Sequence, residues 1–313
     1  MIAINRKPIF SDTYTSVADF LPENDCCYIH GESVEERSTH IENWRHNAPG
    51  TIYYKIVAQD KHSFAIEVNG NSTTYALRSS RQLSEFTSNL AYSSVYLDIT
   101  GLNHSTWAPL LKHLLIGHNV KVVYVEPFDY RPSLAPTEGE IFDLSEKTEG
   151  IAPIPGYISL SDVEDEKTCL VPLIGFEGAR FSHVIEQVQP PGEKIFPIVG
   201  VPGFKPEYPY NAYLGNKIAL LSSQSYRQVR FATANCPFSA YYAIDEIASE
   251  NDSSRIKVAP IGTKPHALGA ILYALIKPDV EVVYDHPIRK PKRTEGSANL
   301  HVYHISKFFN RAS

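Results

Sequence analysis

Short unbroken runs of apolar residues, each followed by a turn and a stretch of helical period, set the pattern of this 313-residue chain. The clearest case is Val258–Pro287, VAPIGTKPHALGAILYALIKPDVEVVYDHP. A strand over Ile256–Ala259 runs into Gly262-Thr263-Lys264. A helix over His266–Ile276 and a second buried strand, Val280–Tyr284, follow, ending in Asp285-His286-Pro287. Strand, turn, helix, strand is a crossover unit, and a crossover implies a parallel sheet. Ligands of such sheets bind beyond the carboxyl ends of the strands. Gly262 and Lys264 are therefore expected at a helix N-terminus, where an anion would sit.

The pattern occurs again upstream. Asp98–Pro127 aligns with Val258–Pro287 without a gap at an offset of 160 residues, with Val-Val-Tyr in both. Residues 26–57 align with 169–200 at an offset of 143, placing Arg37 on Arg180 and Ile52 on Ile195. Both pairs of motifs come in the same order. The predicted fold class is α/β, two tandem Rossmann-like halves of mostly parallel sheet related by internal duplication, with domains 1–150 and 151–313.

The first half reads as an irregular arm over 1–24, a strand Cys26–His30, a helix from about Glu35 to His46 and a strand Ile52–Val57. A small hairpin turning at Asn69-Gly70-Asn71 follows, then a helix Arg81–Leu90, a strand Val95–Ile99, a helix to Ile116 and a strand Val120–Val125. Residues 128–165, with Pro132, Pro136, Pro153 and Pro155, read as a linker. The second half reads as a strand Cys169–Ile174, a helix Ala179–Gln189, a strand Ile195–Val199, a Gly/Pro-rich loop 200–206, a helix Ala240–Ala248, the opening crossover and an edge strand Leu300–Ile305.

Composition narrows the picture in three places. The net charge of -6 gives no general attraction to nucleic acid, so direct binding of a duplex is not expected. The four cysteines, Cys26, Cys27, Cys169 and Cys236, form no C-x-x-C pair, which argues against structural zinc and for reduced thiols. The N-terminal residues lack the apolar core of a signal peptide and no run approaches a membrane span. The expected location is cytoplasmic, with no membrane partner, no metal and no cofactor.

Candidate chemistry gathers at turns. At Gly262-Thr263-Lys264-Pro265-His266, backbone N–H groups, a hydroxyl and an ammonium would converge on an anion. The spacing is neither that of a Walker A loop nor that of G-x-G-x-x-G. Thr100, Gly101 and His104 occupy the matching turn of the first half. Arg37, with Glu35 and Glu36, and Arg180, with Glu177 and Gly178, open the first helix of each half; arginine suits phosphate and carboxylate, and the alternative for each is an internal ion pair. Cys236 stands before a proline and a helix, where a thiol can be acidified, with His266 or His286 as a conceivable base. Asp98 and Asp285 with His104 and His286 offer strand-end carboxylates and imidazoles. Arg289–Arg293 is a basic run whose simplest reading is a solvated loop. No catalytic residue is assigned.

The Gly-Thr-Lys of Pro260-Ile261-Gly262-Thr263-Lys264 and the Thr-Gly of Thr100-Gly101-Leu102-Asn103-His104 are complementary fragments of Thr-Gly-Gly-Thr-Lys. A strand, that turn, a helix and a strand resemble the CRISPR-associated Rossmann-fold (CARF) sensor domains over about thirty residues per half. The sequence departs from the family at Pro265-His266, where a methionine usually follows the lysine. The resemblance implies a cyclic oligonucleotide or other nucleotide ligand, bound across a pseudo-two-fold, and a role as sensor or accessory subunit with a protein effector partner in prokaryotic defence. A nucleotide-processing enzyme using the same pocket and a non-catalytic structural subunit are the alternatives. The binding loops expected are 31–38, 100–104, 175–180, 200–206 and 262–266.

Overall fold

Cys26–Gly31 is buried at every position, as a central strand of a parallel sheet covered on both faces should be. In the computed structural model, which describes residues 10–32, 35–68, 71–137, 140–159, 167–252 and 254–310, this run is β2 of an eight-stranded sheet. Its companions are β1 (Ser11–Tyr14), β3 (Thr51–Gln59), β4 (Ser63–Val68), β5 (Asn71–Ala76), β6 (Ser94–Asp98), β7 (Asn119–Val125) and the late strand Leu300–His304. The order is β1, Leu300–His304, β7, β6, β2, β3, β4, β5. The four central strands, β7, β6, β2 and β3, are parallel. Helices α1 (Ile41–Asn47), α2 (Ser80–Ser88) and α3 (His104–Gly117) lie between them in the chain. An aromatic core of Phe20, Tyr28, Trp44 and Tyr96 packs with Val123, Val125 and Val302.

A second sheet contains β8 (Thr168–Leu173), β9 (Ile198–Gly200), β10 (Arg230–Ala232), β11 (Arg255–Pro260) and β12 (Glu281–Tyr284), all parallel, in the order β12-β11-β8-β9-β10. The direction of winding reverses between β8 and β11, which makes that junction a topological switch point. Ala152–Pro153 adds an antiparallel edge on β12. Helices α4 (Gly178–Val188), α5 (Tyr208–Gly215), α6 (Lys217–Ser222), α7 (Pro237–Glu250) and α8 (Lys264–Ile276) belong to this unit. Its core gathers Leu170, Phe181, Val184, Val199, Leu220 and Ala259.

Several expectations change. The chain forms two compact units, but one runs to Asp129 and resumes at Glu295, while the other is Tyr130–Thr294. The division falls before the expected residue 150 because Ser145–Thr148 pairs with Pro287–Arg289 of the second unit, and the first unit resumes at Glu295 because Leu300–His304 hydrogen-bonds β7 on one side and β1 on the other. That strand is therefore not an edge strand, and Ile305 begins α9 (Ile305–Phe309) instead of ending it. Part of the expected N-terminal arm is β1, held by pairing that local sequence does not show. The expected first helix is split: a 3-10 turn, Glu36–Ser38, precedes α1. The Ser38 and Thr39 hydroxyls donate to the Glu35 and Glu36 carbonyls and compete with helix propagation there. The expected linker 128–165 contains paired strands, Pro132–Thr137 with Glu140–Phe142 and Ser145–Thr148 with Pro287–Arg289; 138–139 and 160–165 lie outside the described residues. The tip of the expected hairpin, Asn69-Gly70, also lies outside them, but Asn71 is the first residue of β5, paired with Val68.

A central position for Leu300–His304 has a measurable consequence. Val302 is 2% exposed. Val302→Asp is expected to cost roughly 3 kcal/mol or more in urea denaturation, because a carboxylate is buried without a partner, whereas a solvated edge position would lose about 0.5 kcal/mol.

Candidate functional site

At the switch point the turns after β8 and β11 meet backbone to backbone. A Cβ built on Gly262 would lie 2.8 Å from the carbonyl oxygens of both Leu173 and Ile174, and one on Gly175 would lie 3.1 Å from the Gly262 Cα. No larger residue fits either turn without displacing backbone. The sequence put the ligand on this turn, but its polar groups face inward. Thr263 is the N-cap of α8: its hydroxyl accepts from the His266 amide at 3.3 Å and donates to the Ala234 carbonyl at 2.8 Å. The Lys264 side chain is buried. His266 is 1% exposed and its Nε2 donates to the Thr233 carbonyl at 3.1 Å. Burial pushes the His266 pKa down to about 4, against the carbonyls of Thr233 and Ala232, which act to raise it. A neutral imidazole offers no charge to an anion at pH 7.

Arg180 is also committed inward. Its Nε and Nη2 donate to the two carboxylate oxygens of Asp285, each at 2.7 Å, and its Nη1 donates to the Ile261 carbonyl at 3.0 Å. Asp285 is fully buried. The bidentate pair ties the start of α4 to the end of β12 and the turn after β11, and the guanidinium lies 5.9 Å from the Tyr284 ring centroid.

Beside this junction lies a groove of about 1,050 Å³. One wall is the start of α4, with Gly178, Ala179, Arg180, Ser182 and His183, continued by Lys217 and Ile218 of α6. The other wall comes from Ser133, Thr137 and residues 140–148, with Glu140, Phe142, Ser145 and Lys147 among them. Gly178 is required where α4 meets the end of α5 within the first wall, since a Cβ there would lie 2.0 Å from the Gly215 carbonyl oxygen. Glu177 is the N-cap of α4 by backbone position, yet its side chain makes no capping bond. Its carboxylate turns to the opposite wall and accepts from the amides of Leu144 and Ser145 and from the Ser145 hydroxyl, each at 2.9 Å. The same carboxylate stays 3.7 Å from Arg180 Nη1 in the first turn of α4 and itself lines the groove.

Of the residues singled out in the sequence, Glu177, Gly178 and Arg180 line the groove, and Gly262, Thr263, Lys264 and His266 do not. Lys147, Lys217, Ser182 and His183 were not anticipated. Ser182 and His183 follow Arg180 by less than a turn, a usable signal. Lys147 and Lys217 come from segments whose structure the local pattern does not reveal.

At the corresponding edge of the first unit, the described candidate residues bond to neighbouring side chains and backbone. The Gln59 amide donates to the Gly101 carbonyl at 3.0 Å and accepts from the Asn103 amide at 2.7 Å. The Thr100 hydroxyl accepts from the Val125 amide, and the Thr100 amide donates to Asp98 at 2.8 Å. Asp98 also accepts from the Tyr28 hydroxyl at 2.9 Å and stands 3.3 Å from His40 Nε2. Burial acts to raise the Asp98 pKa, but the contacts with His40 and Thr100 outweigh it and bring it to about 2. Arg37, 2% exposed, donates to Glu35, the Tyr124 hydroxyl and the Val125 carbonyl. His104 is buried in the first turn of α3, beside Trp107.

The remaining candidates stand apart from the groove. Cys236 Sγ caps α7, accepting from the Ser239 amide at 3.4 Å. Lys290 of the basic run pairs with Asp143. Among the described residues no group of three or more His, Cys, Asp or Glu side chains is placed to hold a metal, and no helix is long and apolar enough to cross a membrane. Comparison of the chain with models of known protein families and with curated proteins gives no match.

Two predictions follow from the inward-facing residues. Arg180→Ala leaves the Asp285 carboxylate buried and unpaired, and is expected to lower unfolding free energy by about 3–5 kcal/mol in denaturant titrations. His266 binds its proton near pH 4 in the folded chain, whereas an unfolded histidine does so near pH ~6.5. Between these values the unfolded chain binds more protons, so stability is full above about pH 6.5 and falls as pH drops toward 4. His266→Gln is expected to flatten that part of the stability–pH curve, measured by chemical denaturation at each pH.

Proposed function

We propose that the chain is a ligand sensor, or the accessory subunit of one, that takes a phosphate-bearing nucleotide in the groove beside α4. The observation that carries this reading is the groove's position: it adjoins a switch point of a parallel sheet and is lined by Gly178, Ala179 and Arg180 of the first turn of α4. Its volume, about 1,050 Å³, is enough for a mononucleotide or a larger nucleotide. Lys147 and Lys217 supply positive charge, and Ser145 and Ser182 supply hydroxyls. Phosphate is thereby moved from the Gly262-Thr263-Lys264 turn to α4, one crossover away.

Duplication of two Rossmann-like halves is part of this reading. Three likenesses support it. The central parallel strands of the first sheet run in the order second, first, third, fourth, and those of the second reverse direction in the same way at the first strand. Arg37 lies 5.6 Å from the ring centroid of Tyr124 and Arg180 lies 5.9 Å from that of Tyr284, residues matched by the sequence alignment. In each unit a glycine pair brings the switch-point turns together, Gly31 with Gly101 and Gly175 with Gly262. On this account the first half has kept the scaffold and closed its site. A cytoplasmic role in prokaryotic defence, with a protein effector partner and no duplex nucleic acid, rests on the resemblance of the two turns to CARF domains.

A melting screen against mononucleotides, dinucleotides and cyclic oligoadenylates, followed by calorimetric titration, tests the reading. At least one nucleotide is expected to raise the melting temperature, and Lys217→Glu to weaken its binding tenfold or more while leaving the unliganded melting temperature within about 2 °C, as surface substitutions do. A screen with no shift, or binding unaffected by Lys217→Glu, counts against it.

A further inference from the structure

The two walls of the groove are built differently. The α4–α6 wall follows directly from the parallel sheet. The strands of the other wall pair with one another and with Pro287–Arg289, and not with that sheet. Both ladders are short and irregular in register. Ladders of that kind open at low cost.

Besides the ladder to Pro287–Arg289 and the Lys290 amide donating to the Leu144 carbonyl at 3.0 Å, this wall is held by two consecutive residues of the loop between β8 and α4. The Phe176 ring stacks on Phe142, with centroids 4.5 Å apart and planes at 23°. Tyr130 meets the edge of the same ring at 5.4 Å. Glu177 accepts the three hydrogen bonds from Leu144 and Ser145. The outer tie, Lys290 with Asp143, is an exposed ion pair and contributes little.

We propose that residues 140–148 form a gate over the groove and that Glu177 is the latch holding it shut, a proposal that rests on the reading of the groove as the ligand site. Ring stacking is tolerant of small sliding movements, whereas three hydrogen bonds to one carboxylate fix position and direction. Glu177 is adjacent in the chain to the α4 amides that face the groove, so the latch and the ligand act on the same turn. An occupied groove bridges both walls and favours the closed gate. A latched gate in turn slows both entry and escape of the ligand.

The test uses the whole chain and adenosine 5′-monophosphate (AMP) as probe. Glu177→Ala is expected to raise the association and dissociation rates of AMP together, each fivefold or more in stopped-flow measurements. A rise in dissociation rate alone is what a lost contact gives, and overturns the gate. In the wild-type chain, which needs no variant to fold, AMP is expected to slow hydrogen exchange of the Leu144 and Ser145 amides at least threefold. Exchange unaltered by bound AMP overturns the gate while leaving the ligand site standing. Failure of AMP to bind either protein overturns the gate as proposed, and the nucleotide reading falls with it when the whole nucleotide screen also gives no shift.

Discussion

Backbone contact between the turns after β8 and β11 is the constraint on which the second unit depends. At a switch point the turns of two neighbouring parallel strands pass side by side toward opposite faces of the sheet, and a crevice ordinarily separates them. Here the passage is so close that Gly262 would place any Cβ within 2.8 Å of two carbonyl oxygens. The close approach brings Ile261 within reach of Arg180, and Arg180 in turn holds Asp285 at the end of β12. Three loops are thereby locked in one arrangement. A preformed edge of this kind lowers the ordering cost of binding.

The same closeness decides where a ligand can sit. The turn after β11 is packed backbone to backbone against the turn after β8, and its hydroxyl, imidazole and lysine are drawn into the protein. Thr263 and His266 stitch the turn to Ala234 and Thr233, which makes the segment a structural joint. The open polar surface lies one helix away, where Gly178 lets α4 start against the Gly215 carbonyl and where Glu177 faces outward to residues 144–145. One carboxylate thus has two effects: it fixes the far wall of the groove, and it leaves the first turn of α4 uncapped.

The crossover units were readable because their strands are buried on both faces and therefore appear as continuous apolar runs, as in Cys169–Leu173 and Val282–Tyr284. Most edge and outlying elements were not. Ser11–Tyr14 is mostly polar and becomes a strand by pairing with Leu300–Tyr303, distant in sequence, whereas Asn71–Ala76, equally polar, is readable as one arm of a local hairpin with Ser63–Val68. Helices α5 and α6 carry Pro209, Gly215 and Asn216, residues that read as a loop, and Lys217 was lost with them. Among candidate site residues, Arg180 and Glu177 were found from their position at a helix start. Sequence left open whether Arg180 pairs within the chain, because the position of Asp285 depends on how β12 ends beside α4. The Gly-Thr-Lys motif was legible as a switch-point turn, but inward orientation of its side chains is a property of packing, which spacing does not encode.

The central claim is that ligand binds at the first turn of α4 and not at the turn preceding α8. Backbone amide shifts recorded by nuclear magnetic resonance during titration with a nucleotide that binds would separate the two. The account predicts the largest shifts at Gly178 and Ala179, with Thr263 to His266 nearly still. Large shifts across Gly262 to His266, with Gly178 and Ala179 unmoved, would contradict it.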